Sequence, residues 1–414
     1  MLSLLRPFTS PGAARELSGL AGFIEAAKPI LPIPILLVLI PALWLFFRKT
    51  WREIDEEAHR EREALVAAKK TDPRPMVALV MCAVILTLQE YYGGRSYFDT
   101  QIYPLITKHV SPDAMPRLAR YDELYGFAWW AATRIGGYVL PFFVWKIVFR
   151  KDSVLDLGLR TRGFFDHAWI YGLFLAIVLP AMLIVANMPD FGTYYPFYKN
   201  APRSWFDLLV WEAMYFAQFF ALEMFFRGFW LGALRRSFGS GAIFAMAVPY
   251  CMIHFGKPYL EAVGAIVAGI ALGSLSMRTR SIYQGFLVHV TVAGLMDWFA
   301  LRRRHCIPLT WWAPDTPVTC TEQASLRDAL ATKIEIGAGV LLTILAGIVI
   351  FVVLRKRRRR GATEAASPGP SAASPDPSAA SPDPSAASPD PSAASQPVAH
   401  PTGDDPAAED PTVG

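Results

Sequence analysis

Charged residues are scarce in this sequence. Asp, Glu, Lys and Arg make up 18% of the 414 residues, whereas a soluble domain carries about 25%. Hydrophobic residues reach 53% and gather in long apolar runs, several of which have the roughly 20 residues that a helix needs to cross a bilayer. A soluble globular domain is therefore excluded. The composition predicts an all-α, polytopic transmembrane helical bundle embedded in a lipid bilayer.

Cysteines are also rare, and the four in the chain are too few for a disulfide scaffold. Cys82 and Cys251 fall inside apolar runs and are expected to be core residues. Cys306 and Cys320 share one polar loop. They can form a disulfide if that loop faces an oxidising compartment. The first residues lack an apolar core followed by a small-residue cleavage site, so no cleaved signal peptide is expected.

The apolar runs predict about nine spans. Their approximate bounds are 30–47, 75–91, 126–148, 167–187, 206–233, 240–256, 258–277, 281–300 and 334–354. Between the first two spans, the charged segment 48–74 is expected to form a solvated cytoplasmic hairpin. Residues 92–125 are expected to form a loop with interfacial pieces, and residues 150–165 an interfacial turn with a short amphipathic helix.

Basic clusters follow the odd-numbered spans and indicate the orientation. They lie at 48–62, 146–162, 235–236, 278–280 and 355–360. Because positively charged loops stay on the cytoplasmic side, the N-terminus is expected outside and the C-terminal tail in the cytoplasm. One cluster, Arg302 to Arg304, disagrees because it would lie outside. The net charge of +5 thus reflects topology and lipid headgroups, and no nucleic-acid partner is expected.

The tail after residue 360 has low complexity. From residue 371 the heptad SAASPDP occurs three times before SAASQP ends the run. Proline every few residues forbids a helix, and the repeat has no apolar seam for a coiled coil. The tail is therefore predicted to be a disordered, partly polyproline-II linker without a chemical role.

Four polar residues inside the predicted spans could carry chemistry: Glu223, Arg227, His254 and His289. Glu223 and Arg227 lie four residues apart and so share one helix face. At 1.5 Å per residue, Glu223 lies about 18 Å, His254 about 21 Å and His289 about 13 Å from the inner boundary. Three helices thus bring polar groups to a similar depth. This favours one functional cavity over scattered structural hydrogen bonds, although each residue alone also fits a structural role.

The motifs around these residues resemble the CPBP intramembrane endopeptidases, a family that groups type II CAAX prenyl proteases with bacterial processing and immunity proteins. The family signature is Glu-Glu-x-x-x-Arg, then Phe-x-x-x-His, then His-x-x-x-Asn or Asp. The chain has LEMFFRG at 222–228, YCMIHFGKP at 250–258 and HVTVA at 289–293. Order, spacing and helix placement agree over about 205–300.

The resemblance implies proteolysis within the membrane. By analogy, Glu223 and His254 would activate a water molecule, His289 would help to hold the oxyanion, and Arg227 would orient Glu223. The chemistry is sound, because attack on an amide needs a base and donors aimed at the oxyanion contribute most in a water-poor cavity.

Three positions depart from the family signature. Leu222 stands where the family places its first glutamate, Tyr250 replaces the phenylalanine, and Ala293 replaces the asparagine. Either Glu223 takes over the base role, with Asp297 or Gln218 replacing the lost asparagine, or the chain is catalytically impaired. Glu212 shares the face of Glu223 but lies about 16 Å along the axis, too far for a shared role.

A metal is the remaining question for the site. Two histidines and a carboxylate could ligate zinc, and members of the family have sometimes been described as metalloproteases. The sequence has no His-Glu-x-x-His motif. A metal-independent mechanism without a cofactor is therefore preferred, with zinc as the alternative.

The prediction is an intramembrane endopeptidase that cleaves a membrane-anchored protein, approached from the outer face of a bacterial inner or cell membrane. A catalytically impaired membrane scaffold or immunity protein is the alternative, and a transporter is disfavoured because no inverted repeat is visible. The sequence predicts five parts in chain order. Residues 1–150 form the N-terminal membrane helices and the hairpin, and residues 151–305 form the CPBP-like catalytic core. Residues 306–333 form an external loop, residues 334–360 the last span and its basic stop, and residues 361–414 the disordered tail.

Overall fold

The computed structural model of the chain describes residues 26–27, 30, 32–161, 168–187, 191–257, 259–315, 317–342 and 344. Contacts divide the chain into two units, Met1–Val340 and Leu341–Gly414. Of the second unit, only residues 341, 342 and 344 are described, and they are helical. The predicted disordered tail, 361–414, lies outside the described residues.

The described part of the chain is helical and contains no strand, only an isolated bridge between Leu159 and Ser281. The long helices are α1 Pro32–Ala67, α2 Arg74–Tyr92, α3 Asp122–Val148, α4 Ala168–Ala186, α5 Trp205–Glu223, α6 Leu231–Phe238, α7 Gly241–Met252, α8 Tyr259–Thr279 and α9 Tyr283–Arg303. A further helix of the first unit, α10, covers residues 324–340. The expected all-α class is confirmed.

Five helical segments within the described residues are long and apolar enough to cross a membrane: Pro32–Ala67, Arg74–Tyr92, Trp205–Phe238, Leu260–Thr279 and Tyr283–Arg303. Two shorter apolar helices, Phe174–Ala186 and Gly241–Met252, accompany them. The count of nine spans stays a prediction. The last predicted span, 334–354, lies only partly within the described residues.

The charged segment after the first span is not a separate hairpin. Helix α1 runs without a break through Ala67, because this segment is rich in charged helix formers that pair at i,i+4 spacing, such as Lys49 with Glu53 at 4.0 Å. Its apolar side is not solvated either. Ile54 and Ala58 are buried, so the segment is an amphipathic arm packed on the bundle.

The segment that carries Glu223 is one apolar helix with an irregular middle. Helix α5 continues through a π-helical segment, Met224–Trp230, into α6. Every residue from Phe225 to Trp230 is buried, and the aromatic rings pack on α3, with Tyr138 stacked on Phe225 at 5.1 Å. Single π turns inside α-helices are frequent at functional sites, and this one begins directly after Glu223.

The start of α5 is fixed by its own cap and by a distant loop. The Ser204 hydroxyl accepts a hydrogen bond from the Asp207 backbone N–H, an arrangement that satisfies one of the unpaired donors at a helix N-terminus. The N–H groups of Trp205 and Phe206 donate to the carbonyls of Thr310 and Trp311 at 3.0 Å each. The loop after α9 therefore holds the N-terminal end of α5.

Four of the five basic clusters meet at the opposite end of the bundle. Glu57 on α1 pairs with Arg280 at 2.6 Å and with Arg235 at 3.6 Å. In the turn after α3, Asp152 accepts two hydrogen bonds of 2.8 Å from Arg74, which lower the pKa of the Asp152 carboxyl below its ordinary value. The fifth cluster, 355–360, lies outside the described residues. The sequence predicted that the basic clusters lie on one side of the bundle. The four clusters within the described residues do so.

The loop after α9 carries a disulfide between Cys306 and Cys320, with Cα atoms 4.8 Å apart. Cys306 is buried. Arg327 adds a second link, since it donates a hydrogen bond of 2.5 Å to the Ile307 carbonyl. Cys82 and Cys251 are free cysteines.

Reduction of the disulfide is predicted to destabilise the protein. The cysteines are 14 residues apart in sequence, and closing a loop of about 15 residues contributes roughly 3 kcal/mol. The measurement is the thermal unfolding midpoint of the purified chain in detergent, with and without reductant. A Cys82→Ser/Cys251→Ser variant serves as the control and should keep the full response. An unchanged midpoint in the wild-type protein after complete reduction would contradict the prediction.

Candidate active site

Three of the four predicted site residues are in direct contact. Glu223 is the last residue of α5, Arg227 lies in the π-helical segment, and His289 lies on α9. The Glu223 Oε1 atom is 3.3 Å from Arg227 Nη1 and 3.0 Å from His289 Nδ1. The side chains of Glu223 and Arg227 are completely buried. One carboxylate oxygen therefore joins two helical segments of the bundle.

Arg227 is held by charge and by an aromatic face. Its guanidinium carbon lies 3.8 Å from the centre of the Tyr250 ring, which places the cation over the π-face of the ring. Within the described residues, Nε, Nη1 and Nη2 have no hydrogen-bond partner, since the contact with Glu223 is longer than a normal N–H···O bond. The fixed charge of Arg227 balances the buried carboxylate of Glu223.

Glu223 presents its second oxygen to a glycine. Oε2 has no hydrogen-bond partner in the described part of the chain, and it lies 3.0 Å from where a Cβ on Gly285 would stand. Gly285 is in the first turn of α9, one turn before His289. Its missing side chain lets α9 approach Glu223 closely enough for the hydrogen bond to His289.

The hydrogen bond to Glu223 fixes the orientation of His289. A carboxylate only accepts hydrogen bonds, so Nδ1 of His289 carries the hydrogen in this contact and Nε2 is left for another partner. The tautomer is inferred from the partner and not observed. The imidazole also packs on Phe219, with ring centres 4.1 Å apart. The His289 side chain is 15% exposed, so it lies at the rim of the buried pair.

His254 is placed differently from the expectation. Helix α7 ends at Met252, so His254 lies in the following turn and not inside the helix. Its Nδ1 contacts the Tyr250 carbonyl at 2.7 Å. A carbonyl only accepts, so Nδ1 carries the hydrogen and Nε2 keeps its lone pair. The described hydrogen bonds connect His254 to Tyr250 and not to Glu223 or His289.

Tyr250 links the two halves of the site, and its importance was missed by the sequence reasoning. Its ring carries Arg227 at 3.8 Å and lies 4.9 Å from the His254 ring, while its carbonyl accepts from His254. The spacing of four residues to His254 was the available signal. The sequence pattern by itself identifies Tyr250 only as a replacement for phenylalanine.

Two of the three departures from the family signature are buried apolar positions. Leu222 and Ala293 are each 4% exposed. Asp297 does not replace the lost asparagine at His289, because it lies two turns further along α9 and its Oδ2 accepts a hydrogen bond of 2.7 Å from Trp211. Gln218 is buried and makes no described hydrogen bond to His289. The site thus has fewer polar groups than the family signature.

Three zinc ligands do not come together among the described side chains. No group of three His, Cys, Asp or Glu side chains converges closely enough within the described residues to hold a metal ion. The Glu223 oxygen nearest to His289 also faces Arg227, and a neighbouring cation disfavours a divalent ion.

A comparison of the sequence with models of protein families found a match, and the match includes the site residues. Residues 203–295 match the family model described as type II CAAX prenyl endopeptidase Rce1-like. This region is similar to that protease family. The Rce1-like region contains Glu223, Arg227, His254 and His289, which confirms the resemblance seen in the motifs. No curated protein and no solved structure matches the chain significantly.

The buried pair is predicted to be strongly coupled in stability. Replacing Glu223 by Gln leaves Arg227 as an uncompensated buried cation, which costs about 3–5 kcal/mol. The double variant Glu223→Gln/Arg227→Met should therefore be less destabilised than the sum of its two single variants. The measurement is the unfolding free energy of all four proteins in mixed micelles. Additivity within about 0.5 kcal/mol would show that the two residues do not interact.

Gly285→Ala is predicted to destabilise the site. The added Cβ would stand 3.0 Å from Glu223 Oε2, and overpacking of this kind costs about 1–3 kcal/mol. Gly264→Ala on α8 is the matched control. Nothing lies within 4 Å of its added Cβ, so it should be neutral or stabilising. Equal thermal midpoints for Gly285→Ala and the wild type would contradict the close approach of α9 to Glu223.

Proposed function

We propose that the protein is an intramembrane endopeptidase that hydrolyses a peptide bond in a membrane-anchored protein. The observation that carries the proposal is the buried contact of 3.0 Å between Glu223 and His289, inside the region that matches a protease family. Buried ionisable residues in membrane helices are costly, and they mark functional sites more often than structural ones.

His254 is the proposed group that activates water. Its Nδ1 hydrogen is committed to the Tyr250 carbonyl at 2.7 Å, so the lone pair of Nε2 can accept a proton. The water oxygen then attacks the carbonyl carbon of the substrate, and its proton passes to His254 Nε2. When the tetrahedral intermediate collapses and the C–N bond breaks, His254 returns this proton to the leaving amine.

His289 is the proposed donor to the oxyanion. In the resting site its ring is neutral, with the hydrogen on Nδ1. It takes up a second proton, on Nε2, from solvent when the substrate binds. It then donates from Nδ1 to Glu223 Oε1 and from Nε2 to the negatively charged oxygen of the intermediate, and it releases the second proton to solvent after hydrolysis. Glu223 holds the ring in this orientation, in the way that a carboxylate orients the histidine of a catalytic triad. Arg227, 3.3 Å from Oε1, keeps the carboxylate in place as a positioning residue.

This assignment changes the role expected of Glu223. The family resemblance implied that Glu223 and His254 together activate the water molecule. Its Oε1 already faces both Arg227 and His289, and its Oε2 is directed at Gly285. Glu223 therefore supports His289, and His254 takes the proton. In the proposed steps, protein side chains carry out every proton transfer to and from the substrate and the water molecule.

The substrate is proposed to approach from the end of the bundle opposite the basic clusters. Ser240, just before α7, contacts Asp55 on the amphipathic arm of α1 at 2.6 Å. The 12 residues of α7 carry the chain about 18 Å away from that end, and His254 follows. With basic loops in the cytoplasm, this end faces outward, toward exported proteins with a membrane anchor.

A second candidate is a membrane scaffold or immunity protein with impaired catalysis. The burial of Leu222 and Ala293, each 4% exposed, favours it, because both positions provide apolar surface where the family signature has polar groups. This candidate keeps the fold and the Glu223–Arg227 pair but requires no hydrolysis.

Loss of His254 or His289 is predicted to abolish processing. The test compares the membrane proteins of cells that express the wild type, His254→Ala, His289→Ala or Glu223→Gln by mass spectrometry, and it looks for C-terminally unprocessed species. A general base contributes about 10²–10⁴-fold to a rate, so the processed form should fall below detection in His254→Ala.

The control is His109→Ala, because His109 is exposed and lies outside the site. It should process at the wild-type rate. All variants are first shown to be folded by their thermal midpoints. If the folded site variants still give processed species and the wild-type phenotype, the protease proposal fails and the scaffold remains.

A further inference from the structure

A cavity of about 250 Å³ lies where the basic loops meet. Its walls come from the start of α2, the turn after α3, the π-helical segment with α6, and the end of α8. The cavity begins at Arg227 and Ser276 and extends to the exposed side chains of Lys151 and Arg236. It is smaller than the pockets that hold drug-sized ligands, so it suits a compact group.

The lining of this cavity is strongly basic. Its cations are Arg74, Lys151, Arg227, Arg235, Arg236 and Arg280. The two carboxylates in the lining are already engaged, since Asp152 accepts from Arg74 at 2.8 Å and Asp156 accepts from Arg160 at 2.6 Å. The lining therefore attracts an anion and offers no free carboxylate to repel it.

The cations at the exposed side of the cavity, here called its mouth, outnumber the carboxylates that pair with them. Among the described residues, Arg235, Arg236 and Arg280 pair with two carboxylates, Glu57 and Glu61. The contacts of Arg235 are 3.6 and 3.8 Å, and that of Arg236 is 3.4 Å, longer than charge-assisted hydrogen bonds of about 2.7–2.9 Å. Lys151 has no ion pair within the described residues. Several N–H donors at the mouth thus remain available.

The inner wall also has unused polar groups. Arg227 is 2% exposed and Ser276 is 3% exposed. The Arg227 Nε and Nη2 atoms and the Ser276 hydroxyl have no hydrogen-bond partner within the described residues. Both residues line the cavity. Buried donors without a partner cost free energy, so an acceptor in the cavity would relieve this cost.

We propose that this cavity binds a phosphate group. Phosphate offers several acceptor oxygens and negative charge, and guanidinium groups match its geometry. The phosphate can come from an anionic lipid headgroup, because basic pockets at the cytoplasmic ends of membrane helices bind such headgroups, or from free phosphate. The proposal is independent of proteolysis and stands if the active-site assignment fails.

The test uses the full chain, delipidated in a neutral detergent. The thermal midpoint is followed while three probes are titrated separately: dioctanoyl phosphatidylglycerol, inorganic phosphate, and octanoate as an acyl anion without phosphate. The lining variant is Lys151→Gln/Arg236→Gln, in which both side chains are exposed and neither belongs to the proposed active site. The control, Arg60→Gln/Lys70→Gln, removes the same charges from exposed positions outside the cavity.

A saturable rise in the midpoint with phosphatidylglycerol is expected in the wild type and the control. The apparent Kd should weaken by about tenfold or more in the lining variant, since a tenfold change corresponds to about 1.4 kcal/mol and charge-assisted hydrogen bonds are the strong ones. A matching rise with inorganic phosphate identifies free phosphate as the source, and no rise with it identifies the headgroup. An equal response to octanoate, an equal response in the lining variant, or no response to either phosphate probe overturns the proposal.

Discussion

The structure of the site depends on one buried carboxylate. Glu223 Oε1 lies 3.3 Å from Arg227 and 3.0 Å from His289, where the low dielectric strengthens attraction and makes any unpaired charge costly. Because the three groups come from α5, the π-helical segment and α9, their contact fixes the relative position of these helical elements. Gly285 on α9 and the Tyr250 ring under Arg227 complete the arrangement.

The remaining fold supports this contact from both ends of the bundle. At one end, the loop that contains the Cys306–Cys320 disulfide accepts hydrogen bonds from the first N–H groups of α5. At the other end, the charged arm of α1 packs on α6 and α8 through Glu57, Arg235 and Arg280. The proposed chemistry and the proposed phosphate cavity share the Arg227 wall, so the cation that balances Glu223 separates the two sites.

Much of this arrangement is predictable from sequence because its causes are local. The spacing of four residues places Glu223 and Arg227 on one face, and the apolar runs identify the helices. Other features depend on tertiary contacts. The π turn after Glu223 reflects aromatic packing on α3. The arm of α1 lies against the bundle because Ile54 and Ala58 are buried there. The end of α7 at Met252, which places His254 outside the helix, is also not marked by a local pattern. Gly285 lets α9 come close to Glu223. No local sequence pattern predicts such a contact between two helices.

The central claim is that Glu223 sets the tautomer of His289. It is tested most directly by ¹⁵N NMR of the histidine ring nitrogens in the labelled full chain. The account predicts a hydrogen on Nδ1 and a bare Nε2 for both His254 and His289 at neutral pH, with Glu223→Gln changing the spectrum of His289 and not that of His254. A His289 ring that carries its hydrogen on Nε2 and has a bare Nδ1, or one that does not respond to Glu223→Gln, would contradict the account.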